Sequence, residues 1–475
     1  MASSQIKKAV LLNAGARYST IFLGLLFSAV LARLLTPEDY GVVAVTVVFT
    51  TFFGILSDLG MGAGIIQNKE LTDDDIGSIF AFSLRLSLGL AAAFALFSVP
   101  MAMFYGNNAY IPVGALLAVS LFFNTMNVVP NALMLKAKRF KDIALRILLA
   151  CIVSGIAGII LAWAGLKYYA LVIQAVLNSM FIFFWNYLSV RPPLAKRIQR
   201  ESIAKIRSYS SFLFGFNVIN YFARNTDNLL IGKIMGPSAL GWYDKSYKLM
   251  LYPVNNLTHV ITPVLHPILS EHQDDKKYIY DKYLQIVKLL SLLGAFITPF
   301  CFFASSEIIR ILYGEQWLPS IACLKWMALG IWAQMILSSA GSIFQSLGDT
   351  RRLFFSGSMN AVLTVLCIIA GIIEGSIEAV ARNVAIAYNL QFIATFYILV
   401  HLSFGLSVRR FLLRLLPDLG IAAIVAAAGW GVSFIPDMGL VLSFGVKLVA
   451  MGGVYLLVLA LSGQLKGVIQ ILRGK

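Results

Sequence analysis

The sequence predicts an all-α integral membrane protein of about fourteen transmembrane helices, in two parallel-repeat six-helix lobes followed by a C-terminal helix pair. Three observations lead there. The 475 residues are 59% hydrophobic and 13% charged, with a mean hydropathy of +0.81, outside the range of a soluble globular domain. Apolar runs of about 20 residues, the length that crosses ~30 Å of hydrocarbon, recur along the chain. The cations behind the net charge of +16 fall in alternate connections, a membrane pattern rather than a nucleic-acid surface.

The first six spans are expected near 8–34, 41–65, 76–98, 110–135, 142–164 and 168–188. Six more follow near 208–235, 243–268, 281–304, 318–345, 353–373 and 376–400, and a final pair near 417–435 and 439–461. Lys136, Lys138, Arg139 and Lys141 fall in one even-numbered connection, and Arg191, Lys196, Arg197, Arg200, Lys205 and Arg207 in another. Lys276 and Lys277, Arg351 and Arg352, and Arg409, Arg410 and Arg414 occupy the later ones, joined by Lys7 and Lys8 and by Lys466, Arg473 and Lys475 near the termini. The odd-numbered connections hold few cations, mainly Lys167, Lys245, Lys248 and Arg310. This asymmetry predicts cytoplasmic termini and an even number of spans. The first apolar run leads into the next without a small-residue cleavage site, so no signal peptide is expected. Cys151, Cys301, Cys323 and Cys367 lie in or beside apolar spans without ligand spacing, which reads as packing.

Self-similarity predicts the two lobes. Ala32-Arg33-Leu34-Leu35-Thr36-Pro37 with Gly41 pairs with Gly232-Lys233-Ile234-Met235-Gly236-Pro237 and Gly241, an offset of 200 residues. Lys138-Arg139 followed by Ala157-Gly158-Ile159-Ile160 pairs with Arg351-Arg352 followed by Ala370-Gly371-Ile372-Ile373, an offset of 213. Six helices per lobe return the chain to the same side, so the repeats are parallel. The expected domains are a lobe at 1–188, a basic cytoplasmic linker at 189–207, a second lobe at 208–401, and helices 13 and 14 with a tail at 402–475. The linker, RPPLAKRIQRESIAKIR, reads equally as a short helix on anionic headgroups or as a solvated basic loop.

The candidate site rests on polar residues inside spans. Asn217, Asn220, Tyr221, Arg224, Asp227 and Asn228 share one helical face. A buried arginine costs about 2.5–3.5 kcal/mol on insertion scales, so such a face looks into protein or water. The first span contributes Asn13 and Arg17, the fourth Asn124, Asn127 and Asn131, the eighth Asn255, and the tenth Gln334. Small and hydroxyl residues beside them are read as packing. Arg17, Arg85 and Arg224 sit deep, whereas Arg146, Lys288, Arg382 and Lys447 lie within two turns of a span end and are expected to snorkel or serve structure. Asp227 is a candidate ion site or a counter-ion for Arg224. The cavity is then net positive, as an anionic ligand requires. Four histidines show no ligand pairing and no GxxxxGK[ST] loop occurs, so no catalytic residue, metal or cofactor is expected.

Four segments carry a family resemblance: Leu31–Val45 (LARLLTPEDYGVVAV), Asp58–Thr72 (DLGMGAGIIQNKELT), Thr226–Leu249 (TDNLLIGKIMGPSALGWYDKSYKL) and Phe344–Arg352 (FQSLGDTRR). They resemble the signatures of Wzx-like flippases of the polysaccharide transporter family, the colanic-acid or exopolysaccharide type, in the multidrug/oligosaccharidyl-lipid/polysaccharide superfamily. The resemblance implies two lobes around a central cavity in the bacterial inner membrane. The implied cargo is a polyprenyl-diphosphate-linked oligosaccharide, moved from the cytoplasmic to the periplasmic leaflet, with a polysaccharide polymerase and other assembly proteins as partners. Arg17 and Arg224, with Arg85, are then expected to hold the diphosphate, and Asn124, Asn127, Asn255 and Gln334 the sugars. Rocking about the linker would alternate access. Tyr243 and Tyr247 read as sugar-stacking rings or as interface anchors. The alternatives are an ion-coupled drug exporter of the same superfamily, which calls for buried carboxylates, and a membrane polymerase or ligase, which calls for a large loop with catalytic residues.

Overall fold

The computed structural model describes residues 2–58, 60–195, 198–204, 211–258, 269, 272–435 and 439–465, without the side chains of 2–14, 16, 17, 58, 211–217, 219 and 220. Among the described residues every regular element is helical. The chain divides into two compact units, Met1–Gly241 and Trp242–Lys475.

The first unit contains α1 (Ala2–Leu34), α2 (Pro37–Asp58), α3 (Met61–Gln67), α4 (Asp73–Tyr105), α5 (Tyr110–Met126), α6 (Val128–Lys136), α7 (Phe140–Trp163), α8 (Tyr168–Val190), α9 (Arg200–Ala204) and α10 (Ser211–Ile234). Helix α1 packs on α7, α4 on α5, α7 on α8, and α10 on α2. Local chemistry fixes the starts of the helices. The Thr36 hydroxyl and backbone N–H both donate to Asp39 Oδ2 (2.8 and 2.9 Å), opening α2, while Asp39 Oδ1 accepts the Tyr168 N–H at 3.0 Å and ties down the start of α8. Thr72 and Asp75 form a reciprocal capping box at α4.

The described part of the linker is docked rather than lying free on headgroups or in solvent. The Ser202 hydroxyl donates to Asp75 Oδ1 at 2.6 Å, the Gln199 N–H to Ser78 Oγ at 2.7 Å, and the Ala195 N–H to the Gly77 carbonyl at 3.2 Å. Ile203 packs against a core of Met61, Ile65, Ile79, Phe80, Val129 and Phe183. Asp75 therefore both caps α4 and anchors α9, which sequence spacing alone does not show.

Helix α11 (Pro237–Pro253) begins in the first unit. Its start copies that of α2, and the two copies touch reciprocally. A Cβ on Gly41 would lie 1.8 Å from the Pro237 carbonyl oxygen, and one on Gly241 would lie 2.0 Å from that of Pro37. Both residues of the repeat are thus glycine because a backbone carbonyl occupies the space of a side chain.

In the second unit, α11 passes through a π-helical turn (Val254–Thr258), and α12 (Lys276–Phe303), α13 (Ser305–Leu312), α14 (Pro319–Ala328), α15 (Ile331–Ser346), α16 (Thr350–Ile373), α17 (Ile377–Phe396), α18 (Val408–Val432) and α19 (Leu440–Leu461) follow. Helix α12 packs against α14, α15, α18 and α19, through Tyr283, Val287 and Leu290 on one side and Leu292 and Ala295 on another. Helix starts recur between the units: Asp73 and Lys276, Tyr110 and Pro319, Phe140 and Thr350, and Tyr168 and Ile377 lie 203 to 210 residues apart. The starts of α7 and α16 are 210 apart, which corrects the expected 213 of that pair by nearly one helical turn. Basic residues next to a helix start can slide along the alignment; the start itself cannot.

Among the described residues ten helices are long and apolar enough to span a membrane, or eleven if the bent pair α14 and α15 (57°) is one span. The three others among the expected fourteen are less apolar or incompletely described. Only Tyr18–Leu34 of α1 counts as an apolar helix, α10 carries the polar stripe, and the expected span 243–268 runs into residues 259–268, outside the described ones.

Three of the four cations expected to snorkel or serve structure take the structural role, with acidic partners within the protein. Lys288 pairs with Asp418, which is fully buried, joining α12 to α18. Lys447 of α19 bonds Glu307 at 2.5 Å and the Phe303 carbonyl at 2.8 Å, and Arg382 pairs with Glu374. Hydrocarbon makes an internal partner worth more than a route to the interface.

Two predictions follow from these contacts. Gly41→Ala or Gly241→Ala is expected to lower unfolding stability in detergent by about 1–3 kcal/mol through overpacking; an unchanged melting temperature for both would contradict the close approach. Lys288→Ala is expected to cost about 3 kcal/mol or more by stranding Asp418, and pairing it with Asp418→Leu should restore most of that loss, as thermal unfolding of the single and double variants will report.

Candidate functional site

The polar side chains of the first unit fall into a closed group and an open group. The closed group centres on Arg146 in the second turn of α7. It is 5% exposed, and its Nη1 donates to Asn131 Oδ1 at 3.2 Å and to Asn186 Oδ1. The Asn186 amide in turn donates to Asn127 Oδ1 at 2.7 Å, so α5, α6, α7 and α8 meet at one cation. Each of these contacts is to a neutral amide, and the Arg146 Nε has no partner. The counterpart in the second unit, set by the helix starts, is Ser356 facing Thr395 at 3.1 Å, a neutral pair. Depth in the sequence pointed away from Arg146. The available signal was Asn127 and Asn131 at i, i+4; Asn186, eight residues beyond Asn178 on α8, gave none.

Arg85, Arg224 and Asn124 are open but not clustered: α4 meets α10 where Tyr105 donates to Leu229 and Lys233 to Phe104, five residues along α10 from Arg224 and twenty along α4 from Arg85, about 30 Å. Arg85 lies 12 residues into α4 and Arg224 13 residues into α10, about 18–20 Å along each helix axis. Both are exposed, and no hydrogen bond or ion pair engages either among the described residues. Asn124 is exposed as well, its amide 3.4 Å from Ser120 Oγ. Helices α4 and α5 pack together, and α10 touches α4. A guanidinium without a protein partner is costly against acyl chains.

The other expected residues divide. Asp227 is 2% exposed and accepts the Asn228 N–H at 2.8 Å. Arg224, three residues before it, is exposed, and no ion pair joins the two among the described residues. Tyr221 is not free for a ligand: its hydroxyl donates to the Val48 carbonyl at 2.6 Å, holding α10 on α2. Asn228 Oδ1 is buried without a partner, as is Gln334 Oε1 in the second unit, where Gln334 is 6% exposed. Asn255 is exposed on the π-helical turn. Tyr243 is fully buried and stacks on Tyr247 (6.0 Å, 13°), whose hydroxyl meets that of Tyr388 at 2.7 Å, so Tyr243 is neither a sugar platform nor an interface anchor. The side chains of Arg17, Asn217 and Asn220 lie outside the described ones. Among the described residues no group of His, Cys, Asp and Glu could hold a metal ion.

Residues 30–322 match the sequence profile of a family described as polysaccharide biosynthesis protein. The chain belongs to the polysaccharide biosynthesis protein family. Within or near that family, it is 22% identical over 407 residues to the teichuronic acid biosynthesis protein TuaB of Bacillus subtilis, covering 85% of this chain and 84% of that one. It is 24% identical over 420 residues to the lipopolysaccharide biosynthesis protein WzxC of Escherichia coli, with 84% and 83% covered. Among solved structures, the lipid II flippase MurJ in an inward closed conformation has the same fold, with a TM-score of 0.75 at 14% identity over 96% of this chain and 99% of MurJ. An inward-facing multidrug MATE transporter is more distant, with a TM-score of 0.56 at 16% identity over 81% and 96%. This member of the polysaccharide biosynthesis protein family is thus a multi-pass membrane protein with a transporter fold.

The two polar groups should respond differently to truncation. Arg146→Ala is expected to destabilise the protein by about 2–4 kcal/mol, because it leaves buried amides unpaired, whereas Arg85→Ala and Arg224→Ala should leave the melting temperature unchanged. Thermal unfolding of the three purified variants tests this, and equal destabilisation by all three would place Arg85 and Arg224 in the core.

Proposed function

We propose that the protein is a flippase that moves a polyprenyl-diphosphate-linked oligosaccharide from the cytoplasmic to the periplasmic leaflet of a bacterial inner membrane. The observation that carries this reading is two exposed arginines, 12 residues into α4 and 13 into α10, that no hydrogen bond or ion pair engages among the described residues. A diphosphate bearing sugars cannot cross hydrocarbon unaided, and fixed guanidinium groups replace its hydration with charge-assisted hydrogen bonds. The names and folds of the relatives agree in class: polysaccharide biosynthesis in sequence, lipid flipping and export in structure.

Arg85 and Arg224, with Arg17, hold the diphosphate in this reading. Asn124, Asn255 and Gln334 bond the sugars, as do Asn217 and Asn220 of the α10 stripe. Asn127 acts differently from the other amides, since it is engaged by Asn186 and orients the Arg146 cluster. The prenyl tail stays in lipid while the lobes, 1–188 and 208–401, alternate access about the 189–207 linker, with both termini in the cytoplasm. The protein works without catalytic residues of its own and delivers its cargo to a polymerase and other assembly proteins. Asp227 is a buried ion or proton site rather than a partner of Arg224.

The drug-exporter alternative needs carboxylates that face the transport path. In the described spans Asp418 is consumed by Lys288 and Asp75 by Thr72 and Ser202, while Asp227 is buried.

Proteoliposomes carrying a labelled polyprenyl-diphosphate oligosaccharide test the reading directly. Protein-dependent movement between leaflets is expected, falling at least about tenfold in the Arg85→Ala/Arg224→Ala double variant, which corresponds to about 1.4 kcal/mol of lost transition-state stabilisation. Absence of movement, together with expulsion of a lipophilic cation against an ion gradient, would transfer the assignment to drug export.

A further inference from the structure

A second cationic feature lies away from the spans' interior. A cavity of about 530 Å³ opens in the second unit where α15 ends and α12 and α16 begin. The turn that shapes it is Leu347-Gly348-Asp349, in which Gly348 has φ +67°, a conformation that favours glycine. Asp349 then caps α16: its Oδ1 accepts the Arg352 N–H at 3.3 Å, and its Oδ2 accepts Arg352 Nη1 at 2.8 Å and the Ser403 hydroxyl at 2.7 Å. Burial pushes the Asp349 carboxyl up, but these bonds outweigh it and hold the group below its usual range, so it stays anionic at neutral pH.

The charge count of the lining is unequal. Arg352 cancels Asp349. Lys276 gives one hydrogen bond, to the Ser403 carbonyl at 3.2 Å, and keeps two ammonium protons free of it. Arg351 is exposed and no hydrogen bond or ion pair engages it among the described residues. Two net positive charges therefore line the cavity, beside the first turn of α16, where backbone N–H groups add positive potential.

The rim is apolar. Phe355 is 60% exposed and Leu402 43%. From Phe355 the exposed residues Val362, Leu366, Ile369 and Ile373 continue along one face of α16, a track suited to an acyl chain. A cationic cup that runs into a hydrocarbon-facing stripe at a span end has the layout of a phospholipid: phosphate at the surface, chain along the helix.

We propose that this cavity binds the phosphate of an anionic phospholipid, with Lys276 and Arg351 contacting the phosphate and Phe355 and Leu402 its proximal acyl chain. The positive-inside asymmetry assigns the cavity to the cytoplasmic leaflet. The site lies wholly in the second unit and is independent of the cargo arginines, so a bound lipid braces α12, α15, α16 and the turn after α17 whatever the protein transports.

Native mass spectrometry of the full-length protein, titrated with phosphatidylglycerol or phosphatidylcholine, tests it. Phosphatidylglycerol is expected to bind at least tenfold more tightly. Lys276→Gln/Arg351→Gln should weaken that binding about thirtyfold, roughly fivefold for each cation, whereas Arg409→Gln/Arg410→Gln, an exposed basic pair outside the cavity, should change it less than about threefold. Phe355→Ser, which keeps both cations, should also weaken phosphatidylglycerol binding and provides the readout if the double variant is poorly folded. Equal binding of the two lipids, an equal loss in the control pair, or no effect of Phe355→Ser would each overturn the proposal. Displacement of phosphatidylglycerol by millimolar inorganic phosphate would show a soluble anion site in place of a lipid one.

Discussion

Most of this structure follows from one constraint: a polar group inside hydrocarbon must find its partner within the protein. Arg146 gathers Asn131 of α6 and Asn186 of α8, Asn186 in turn bonds Asn127 between α5 and α6, Lys288 of α12 reaches Asp418 of α18, and Gln391 bonds the Asn360 carbonyl and Thr364 between α17 and α16. These bonds fasten helices whose apolar faces gain little from packing together in lipid, since acyl chains are as apolar as leucine. The same constraint gives meaning to the exceptions. Arg85 and Arg224 are exposed, and no hydrogen bond or ion pair engages them among the described residues.

The repeat is visible at two levels of chemistry. At the starts of α2 and α11, Pro37 and Pro237 set the turn and Gly41 and Gly241 let each receive the other's carbonyl. A duplicated motif has become a reciprocal contact, and a substitution in either copy disturbs both. At α7 and α16 the helix geometry is conserved between the units, but the chemistry is not: Arg146 with Asn186 in one becomes Ser356 with Thr395 in the other. The helix geometry recurs in both units, while the charge occurs in one.

Family resemblance and physical role also separate. The Phe344–Arg352 signature closes a corner, where Gly348 turns, Asp349 caps and Ser403 is tied in. Leu31–Val45 likewise holds the Thr36–Asp39 cap and the Gly41 approach. Two of the segments that carry the resemblance build helix corners, and Arg85 and Arg224 lie outside all four.

The sequence by itself determined the membrane class, most of the spans, the repeat and the positions of the deep arginines, because these depend on composition and on periodicities that are local to each helix. Only the tertiary structure decided which polar residues are consumed. Tyr243 is sealed in a core, Asp227 is buried while Arg224 is exposed, Arg146 is drawn inside by Asn186, and the linker is pinned by Asp75. Each outcome depends on a partner 40 or more residues distant or on a neighbouring helix's packing. Helical spacing says which residues share a face; what that face meets is settled only when another helix, or water, is placed against it.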